Sequence, residues 1–315
     1  MSIHPDLLPF RDQFPALELT DENLVQTRGE LNRMTLETAA NIEGFDHVEV
    51  ADRQIDGPSP GQSLRLRLYS SGDPPGLRPG ILWIHGGGYI LGCPEMDEQL
   101  LCRKADELGC LVVAVDYRLA PEHPYPAALD DCDAALGWIL ENAGELGVDT
   151  NTLVLGGASA GGGLAAALAL RARDQRPGAI AFQCLIYPML DHRTGGSASE
   201  DAREYWLWGA DHNRFAWAAY LGPNDLTHGV SPLASPAAAQ RLDGLPPTYV
   251  CIGDQDLFYE EDVDYARRLR DSGVAVELEV VPGAPHGFDK LPAPLSEQSL
   301  QRRFKALSRH FSAQA

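Results

Sequence analysis

Several things are missing from this 315-residue chain, and each absence closes off a class of function. No run approaches the ~20 consecutive apolar residues that a membrane-spanning helix needs. No Lys/Arg-rich cluster breaks the acidic background: 45 acidic residues oppose 25 basic ones, leaving a formal charge of −20. Such a surface has no electrostatic footprint for nucleic acid or for an anionic membrane, so neither is expected as a partner. The same field would repel a polyanionic substrate and ignore a neutral one. The six cysteines (Cys93, Cys102, Cys110, Cys132, Cys184 and Cys251) include no Cys-x-x-Cys pair, and nothing in their spacing suggests a disulfide framework or a structural zinc site. The first residues, Met1-Ser2-Ile3-His4-Pro5, show no basic leader followed by an apolar stretch, so a reduced cytoplasm is the expected setting. Neither internal repeats nor low-complexity tracts occur.

What is present is the composition of a globular enzyme: 44% hydrophobic residues in a chain long enough for a sizeable core. Residues 1–45 read as helical, with Thr20 or Asp21 as a cap for a stretch through Leu31 and a continuation from Met34 to Ile42. From residue 46 the pattern changes. Val48–Ile55 and Leu64–Tyr69 alternate like half-buried antiparallel strands about the Gly/Pro-rich turn 56–61. Apolar runs then follow at Ile81–Ile84, Leu111–Val115, Leu153–Leu155, Phe182–Tyr187, Thr248–Ile252 and Val276–Val281, separated by helical stretches such as Asp97–Leu108 and Asp131–Glu141. Short apolar runs alternating with helices predict a mostly parallel sheet with helices on both faces. Residues 188–246 interrupt this rhythm with an insertion rich in aromatics: Tyr205, Trp206, Trp208, Phe215, Trp217 and Tyr220. They could wall a pocket as a lid or anchor the insertion to the body, and both roles remain open at this level.

The chemistry is concentrated in a few segments. The strand Leu153-Val154-Leu155 runs into Gly156-Gly157-Ala158-Ser159-Ala160-Gly161-Gly162-Gly163, and an Ala-rich helical stretch follows. A serine between glycines at a strand-to-helix turn is the nucleophile elbow, where small neighbours let the helix approach the strand. A phosphate-binding Gly-x-Gly-x-x-Gly starting at Gly156 would need glycine at 158, and the Walker lysine is missing as well. Upstream, His85-Gly86-Gly87-Gly88 follows the strand Ile81–Ile84 and matches the loop that supplies backbone N–H groups to an oxyanion in lipases and esterases. His85 is expected to orient that loop. A serine hydroxyl needs a base, and the base needs an orienting carboxylate, met in the order Ser, acid, His. Asp254 and Asp256 both follow the strand ending at Gly253. Of the nine histidines only His286 and His310 come after them, and His310 lies in the expected C-terminal helix. His286, in the loop after Val281-Pro282, is therefore the candidate base.

These segments, together with Asp116-Tyr117-Arg118-Leu119-Ala120-Pro121-Glu122-His123, resemble the hormone-sensitive-lipase-like family of bacterial esterases over roughly residues 80–290. The resemblance implies the α/β-hydrolase fold: a mostly parallel eight-stranded sheet with helices on both faces and a helical cap. The cap region would be 1–45 and the catalytic domain 46–315, with the 188–246 insertion adding to the lid. It implies Ser159 as nucleophile, His286 as base and acid, and Asp256 rather than Asp254 as the orienting carboxylate. Gly87, Gly88 and Ala160 would donate backbone N–H groups to the oxyanion, with Gly86 shaping the turn. It also implies hydrolysis of uncharged esters with short to medium acyl chains, without cofactor or metal, and a homodimer through an edge strand, here Val276–Val281. Amide or lactone hydrolysis by the same triad, and ligand binding without catalysis, are the alternatives. Two departures stand out. Ala158 occupies the position before the nucleophile where the family commonly has Asp, and the acid motif reads Asp256-Leu257-Phe258-Tyr259-Glu260-Glu261.

Overall fold

The computed structural model describes residues 2–13, 17–72, 76–197, 205–223 and 229–314. Eight strands form one sheet: β1 (Val48–Asp56), β2 (Ser63–Ser71), β3 (Arg78–Ile84), β4 (Leu111–Val115), β5 (Val148–Ala158), β6 (Phe182–Ile186), β7 (Thr248–Gly253) and β8 (Val276–Val281). Their spatial order is β1-β2-β4-β3-β5-β6-β7-β8. β1 and β2 pair antiparallel, as does β2 with β4, and every other neighbouring pair is parallel.

The longer helices are α1 (Leu24–Ala39), α2 (Glu98–Leu108), α3 (Ala127–Glu141), α5 (Ala160–Gln175), α6 (Ala210–Leu221), α7 (Tyr259–Asp271) and α8 (Pro294–Gln314), with a single turn α4 (Ala143–Leu146) between α3 and β5. Every residue of β4, β6 and β7 is buried, including those that point to opposite faces. That requires cover on both sides, and it explains why these strands carry no polar alternation. α2 packs with α8, and α3 packs with α5. Among the described residues no helix is long and apolar enough to cross a membrane.

Two expectations need correction. Val276–Val281 forms a strand at the sheet edge, as the resemblance implies, but it is only partly buried and not covered on both faces. Glu277 and Glu279 break the apolar run, and α8 holds them through Arg309 and Arg302. The N-terminal region also differs from the capped stretch to Leu31 with its continuation. A 3-10 helix spans Pro5–Gln13, and one helix, α1, begins only at Leu24. Thr20 and Asn23 close the turn before it reciprocally: the Asn23 N–H donates to the Thr20 hydroxyl, and the Thr20 N–H donates to Asn23 Oδ1. Neither Thr20 nor Asp21 is the N-cap, because the turn 21–23 leads into the helix and Asn23 takes that place.

The core supplies precise chain ends where chemistry is placed. β5 ends at Ala158, β7 at Gly253 and β8 at Val281. All three strands run in one direction, so the loops carrying Ser159, Asp256 and His286 emerge on the same edge of the sheet. That is where ligands bind in open α/β sheets.

Candidate active site

Ser159 sits at the junction of β5 and α5 with φ 57° and ψ −123°, a left-handed backbone that a non-glycine residue adopts only when its surroundings force it. The surroundings do so through close packing. A Cβ on Gly161 would lie 2.0 Å from the Ile84 carbonyl oxygen and 2.4 Å from that of His85, so α5 reaches β3 only because that position is bare. The Ser159 N–H donates to the Ile186 carbonyl, and its own carbonyl accepts from Gly163 and Met189.

His286 Nε2 lies 2.9 Å from Ser159 Oγ, and its Nδ1 lies 2.8 Å from Asp256 Oδ2. The other Asp256 oxygen accepts the Phe258 N–H at 2.9 Å, so both carboxylate oxygens are held. Asp256 is buried, whereas Ser159 and His286 reach the wall of a cleft of about 290 Å³. Three rings confine the imidazole. Tyr187 meets it edge-on at 4.6 Å, Phe258 does so at 5.1 Å, and Trp208 stands 6.4 Å away. Asp254, the other carboxylate left open by sequence, accepts from the Gly283 N–H at 2.7 Å and so braces the loop that carries His286.

Opposite the serine, the loop Gly86–Tyr89 bends back under it. Gly87, Gly88 and Tyr89 all have positive φ, at 115°, 61° and 64°. At Gly87 a Cβ would fall 2.2 Å from the Leu91 carbonyl oxygen, and at Gly88 it would fall 2.4 Å from the Trp208 ring, so side chains are excluded from the turn itself. Among the described residues, the N–H groups of Gly87, Gly88 and Ala160 have no protein acceptor. Ala160 opens α5, where the helix dipole adds to the attraction for negative charge. Gly86 faces Ser159: a Cβ there would be 3.3 Å from the serine's own.

His85 does not enter the reaction centre. It is buried, stacks on Tyr117 at 4.2 Å, and places Nδ1 2.7 Å from the Gly86 carbonyl. Burial lowers its pKa, which keeps the ring neutral. Tyr117 donates to the His85 carbonyl, Arg118 grips Asp131 with two nitrogens, and Ala120 N–H donates to the Tyr89 carbonyl. The segment 116–123 therefore braces the glycine loop from behind. His310 stacks on Phe182 in α8, far from the serine in the fold, and His228 lies outside the described residues.

Both roles considered for the insertion occur. Leu207 and Trp208 wall the cleft, while Trp217 and Tyr220 are buried against Tyr89, the latter stacked at 3.9 Å. From the N-terminal region Leu17, Leu31, Asn32 and Thr35 complete the wall.

Sequence reasoning missed several contributors. Arg28 of α1 donates to the carbonyls of Ile90 and Ala120 and pairs with Glu122, locking α1 over the glycine loop. Tyr187 donates to Asp289, and Arg303 pairs with the same carboxylate at 2.7 Å. Glu261 accepts the N–H groups of Leu190 and Asp191 and the Thr194 hydroxyl, which fixes the chain just after β6. Its burial raises its pKa to about 8. The Glu260-Glu261 departure in the acid motif was a usable signal for this last contact; the others leave no local trace.

A family model for the α/β-hydrolase fold matches residues 81–290. The chain is 32% identical to the esterase LipI of Mycobacterium tuberculosis, over 91% of this chain and 88% of that one. It is 33% identical to an ethyl acetate hydrolase of Pseudomonas putida, over 98% of this chain and all of the relative. The solved structure of a bacterial heroin esterase superposes with a TM-score of 0.91 at 34% identity, covering 98% of each chain.

Proposed function

The chain belongs to the α/β-hydrolase family, in its hormone-sensitive-lipase-like branch, and from that premise we propose that it is a carboxylesterase acting on uncharged esters through Ser159, His286 and Asp256. One observation carries the assignment of roles: an unbroken hydrogen-bonded line from Ser159 Oγ through both imidazole nitrogens to Asp256, facing three N–H groups that have no acceptor among the described residues.

In this mechanism His286 Nε2 takes the Ser159 proton as Oγ attacks the ester carbonyl. The carbonyl oxygen becomes an oxyanion, which the Gly87, Gly88 and Ala160 N–H groups stabilise. Asp256 keeps the proton on Nδ1, so Nε2 is free to act as a base, and it stabilises the imidazolium that forms. The imidazolium then protonates the departing alkoxide, leaving an ester on Ser159. Water, deprotonated by His286, attacks that ester in turn and releases the acid.

Uncharged substrates suit a cleft lined mainly by Leu17, Leu31, Leu91, Leu207 and Trp208 within a molecule of charge −20. The size of the cleft and the name of the Pseudomonas putida relative favour short to medium acyl chains. A fluorophosphonate should label Ser159 and nothing else, and Ser159→Ala should lower kcat by on the order of 10⁴–10⁶. Retained turnover in that variant would remove the assignment. A matched ester, amide and lactone, assayed in parallel, separates esterase from the amidase and lactonase readings. A chain that binds all three and turns over none would be a receptor.

Two further proposals concern the setting. All six thiols are buried and unpaired, which supports a reducing cytoplasm. β8 leaves one edge of the sheet available for pairing with a second copy, and light scattering on the purified protein would read a homodimer directly.

A further inference from the structure

Behind the reaction centre lies a second and larger cavity of about 710 Å³, and it shares five wall residues with the cleft at Ser159: Met96, Ala158, Tyr187, Lys290 and Leu291. The cleft by itself is at the lower limit of small-molecule sites, which run from about 300 to 1,000 Å³. Resting on the esterase reading above, we propose that this chamber receives the distal part of the longer, uncharged arm of the ester, and that Ala158 is the specificity-determining residue at its threshold.

The identity of residue 158 matters because of its place. It is the last residue of β5, next to Ser159, and its side chain stops at one methyl group on the boundary of both cavities. A longer side chain would take up space beside both cavities. The other threshold groups are fixed or yielding in useful ways. Tyr187 is tied through its hydroxyl to Asp289, which Arg303 also holds, so its ring cannot swing across. Met96 is an unbranched thioether, able to adapt to whatever passes.

The chamber's chemistry argues for an uncharged occupant. Its wall includes five carboxylates, and each has a cationic partner: Glu95 with Arg65, Glu98 with Arg67, Asp97 with Lys290, Asp289 with Arg303, and Glu297 with Arg103. No charge on these side chains is left over to reward a charged group for giving up its water. Between them Ile42, Leu100, Leu291, Pro292, Ala293 and Leu300 offer apolar surface. Lys290 spends one of its three N–H donors on Asp97 at 2.9 Å, so an oxygen in the passing arm, such as an ether or a second ester, would find a donor at the threshold.

The test reads selectivity rather than bare activity. Two substrate series are compared, p-nitrophenyl esters of increasing acyl length and acetate esters of increasing alcohol length, so that the arm entering the chamber is identified by which series responds. Leu300→Trp and Ala39→Trp fill the chamber from α8 and from α1, away from the serine, and Ala158→Leu closes the threshold. The two filling variants should keep kcat/KM for p-nitrophenyl acetate within about twofold and lower it for the longest substrates of one series by tenfold or more. Ala158→Leu should lower the long-to-short ratio in the same series by tenfold or more, read as a ratio because Ala158 also lines the cleft at Ser159.

Unchanged long-to-short ratios in all three variants, in both series, would overturn the proposal. Loss of acetate turnover in both filling variants would also overturn it, because the chamber would then be part of the structure that holds the reaction centre. Failure of the esterase reading is distinct: the unaltered enzyme would neither hydrolyse p-nitrophenyl acetate nor carry a fluorophosphonate on Ser159.

Discussion

Lys104→Met should make this protein more stable, by an amount that depends on pH. Lys104, on α2, is fully buried, its ammonium has no hydrogen-bond partner among the described residues, and it lies 3.0 Å from the centroid of the Trp83 ring. Burial depresses its pKa from 10.5 to about 7; the buried Arg303 pushes in the same direction, while Cys184, Asp97 and Cys110 push back. At about 1.4 kcal/mol per pH unit, this depression corresponds to about 4–5 kcal/mol of stability lost when the group must be charged. The cation–π contact is already part of that balance, and relaxation of the surroundings reduces the figure, so about 1–3 kcal/mol is expected to be recovered by Met near pH 6.

The sign follows from proton counting. Between pH 7 and 10.5 the unfolded lysine is protonated and the folded one is not, so this group makes the parent more stable as pH rises through that window. Lys104→Met removes the dependence. Urea unfolding of both proteins at pH 6, 7, 8, 9 and 10 should therefore give a stability difference that is largest at pH 6 and shrinks steadily towards pH 10. Parallel curves, or a variant less stable at pH 6, would refute the reasoning and show that the ammonium–Trp83 contact outweighs the cost of burying the charge.

Other expectations are as direct. Asp256→Asn should reduce kcat by about 10⁴ by allowing the wrong imidazole tautomer, whereas Asp254→Asn should act on the His286 loop and cost far less; the reverse ranking in steady-state kinetics would move the acid to 254. Gly161→Ala places a methyl against the Ile84 and His85 carbonyls and should cost on the order of 1–3 kcal/mol, read as a lowered thermal midpoint, together with activity. Arg28→Ala strands the Ile90 and Ala120 carbonyls and frees α1, so KM should rise more than kcat falls, as measured on a medium-chain ester. An unchanged KM would mean that α1 does not shape the cleft.

The parts of this structure that could be read from residues alone are those whose chemistry is local. A serine between glycines, with a helix behind it, needs no distant partner to be recognised. Neither does His85-Gly86-Gly87-Gly88, because positive φ and the absence of Cβ are properties of the segment itself. β4, β6 and β7 were legible as apolar runs for the same reason: cover on both faces leaves no room for polar residues. Legibility failed where a residue's role is set by something far along the chain. Val276–Val281 reads as an apolar run covered on both faces, and only the pairing of Glu277 and Glu279 with α8 shows why it is partly exposed. Arg28 meets its partners 62 and 92 residues away, and Tyr187 meets Asp289 across 102. Ala158 stood out as a departure from the family pattern, but that it borders two cavities is a fact of packing.

Ser159 and His286, the proposed nucleophile and base, are 127 residues apart in the chain, and both sit before a C-terminal helix that covers the sheet. A nascent chain on the ribosome therefore has no means of hydrolysis until nearly all of it has been made. His286 must emerge, β8 must join the edge, and α8 must close over it before any imidazole can reach the serine. Removing the chain beyond β8 would likewise silence the protein while leaving its eight strands in place.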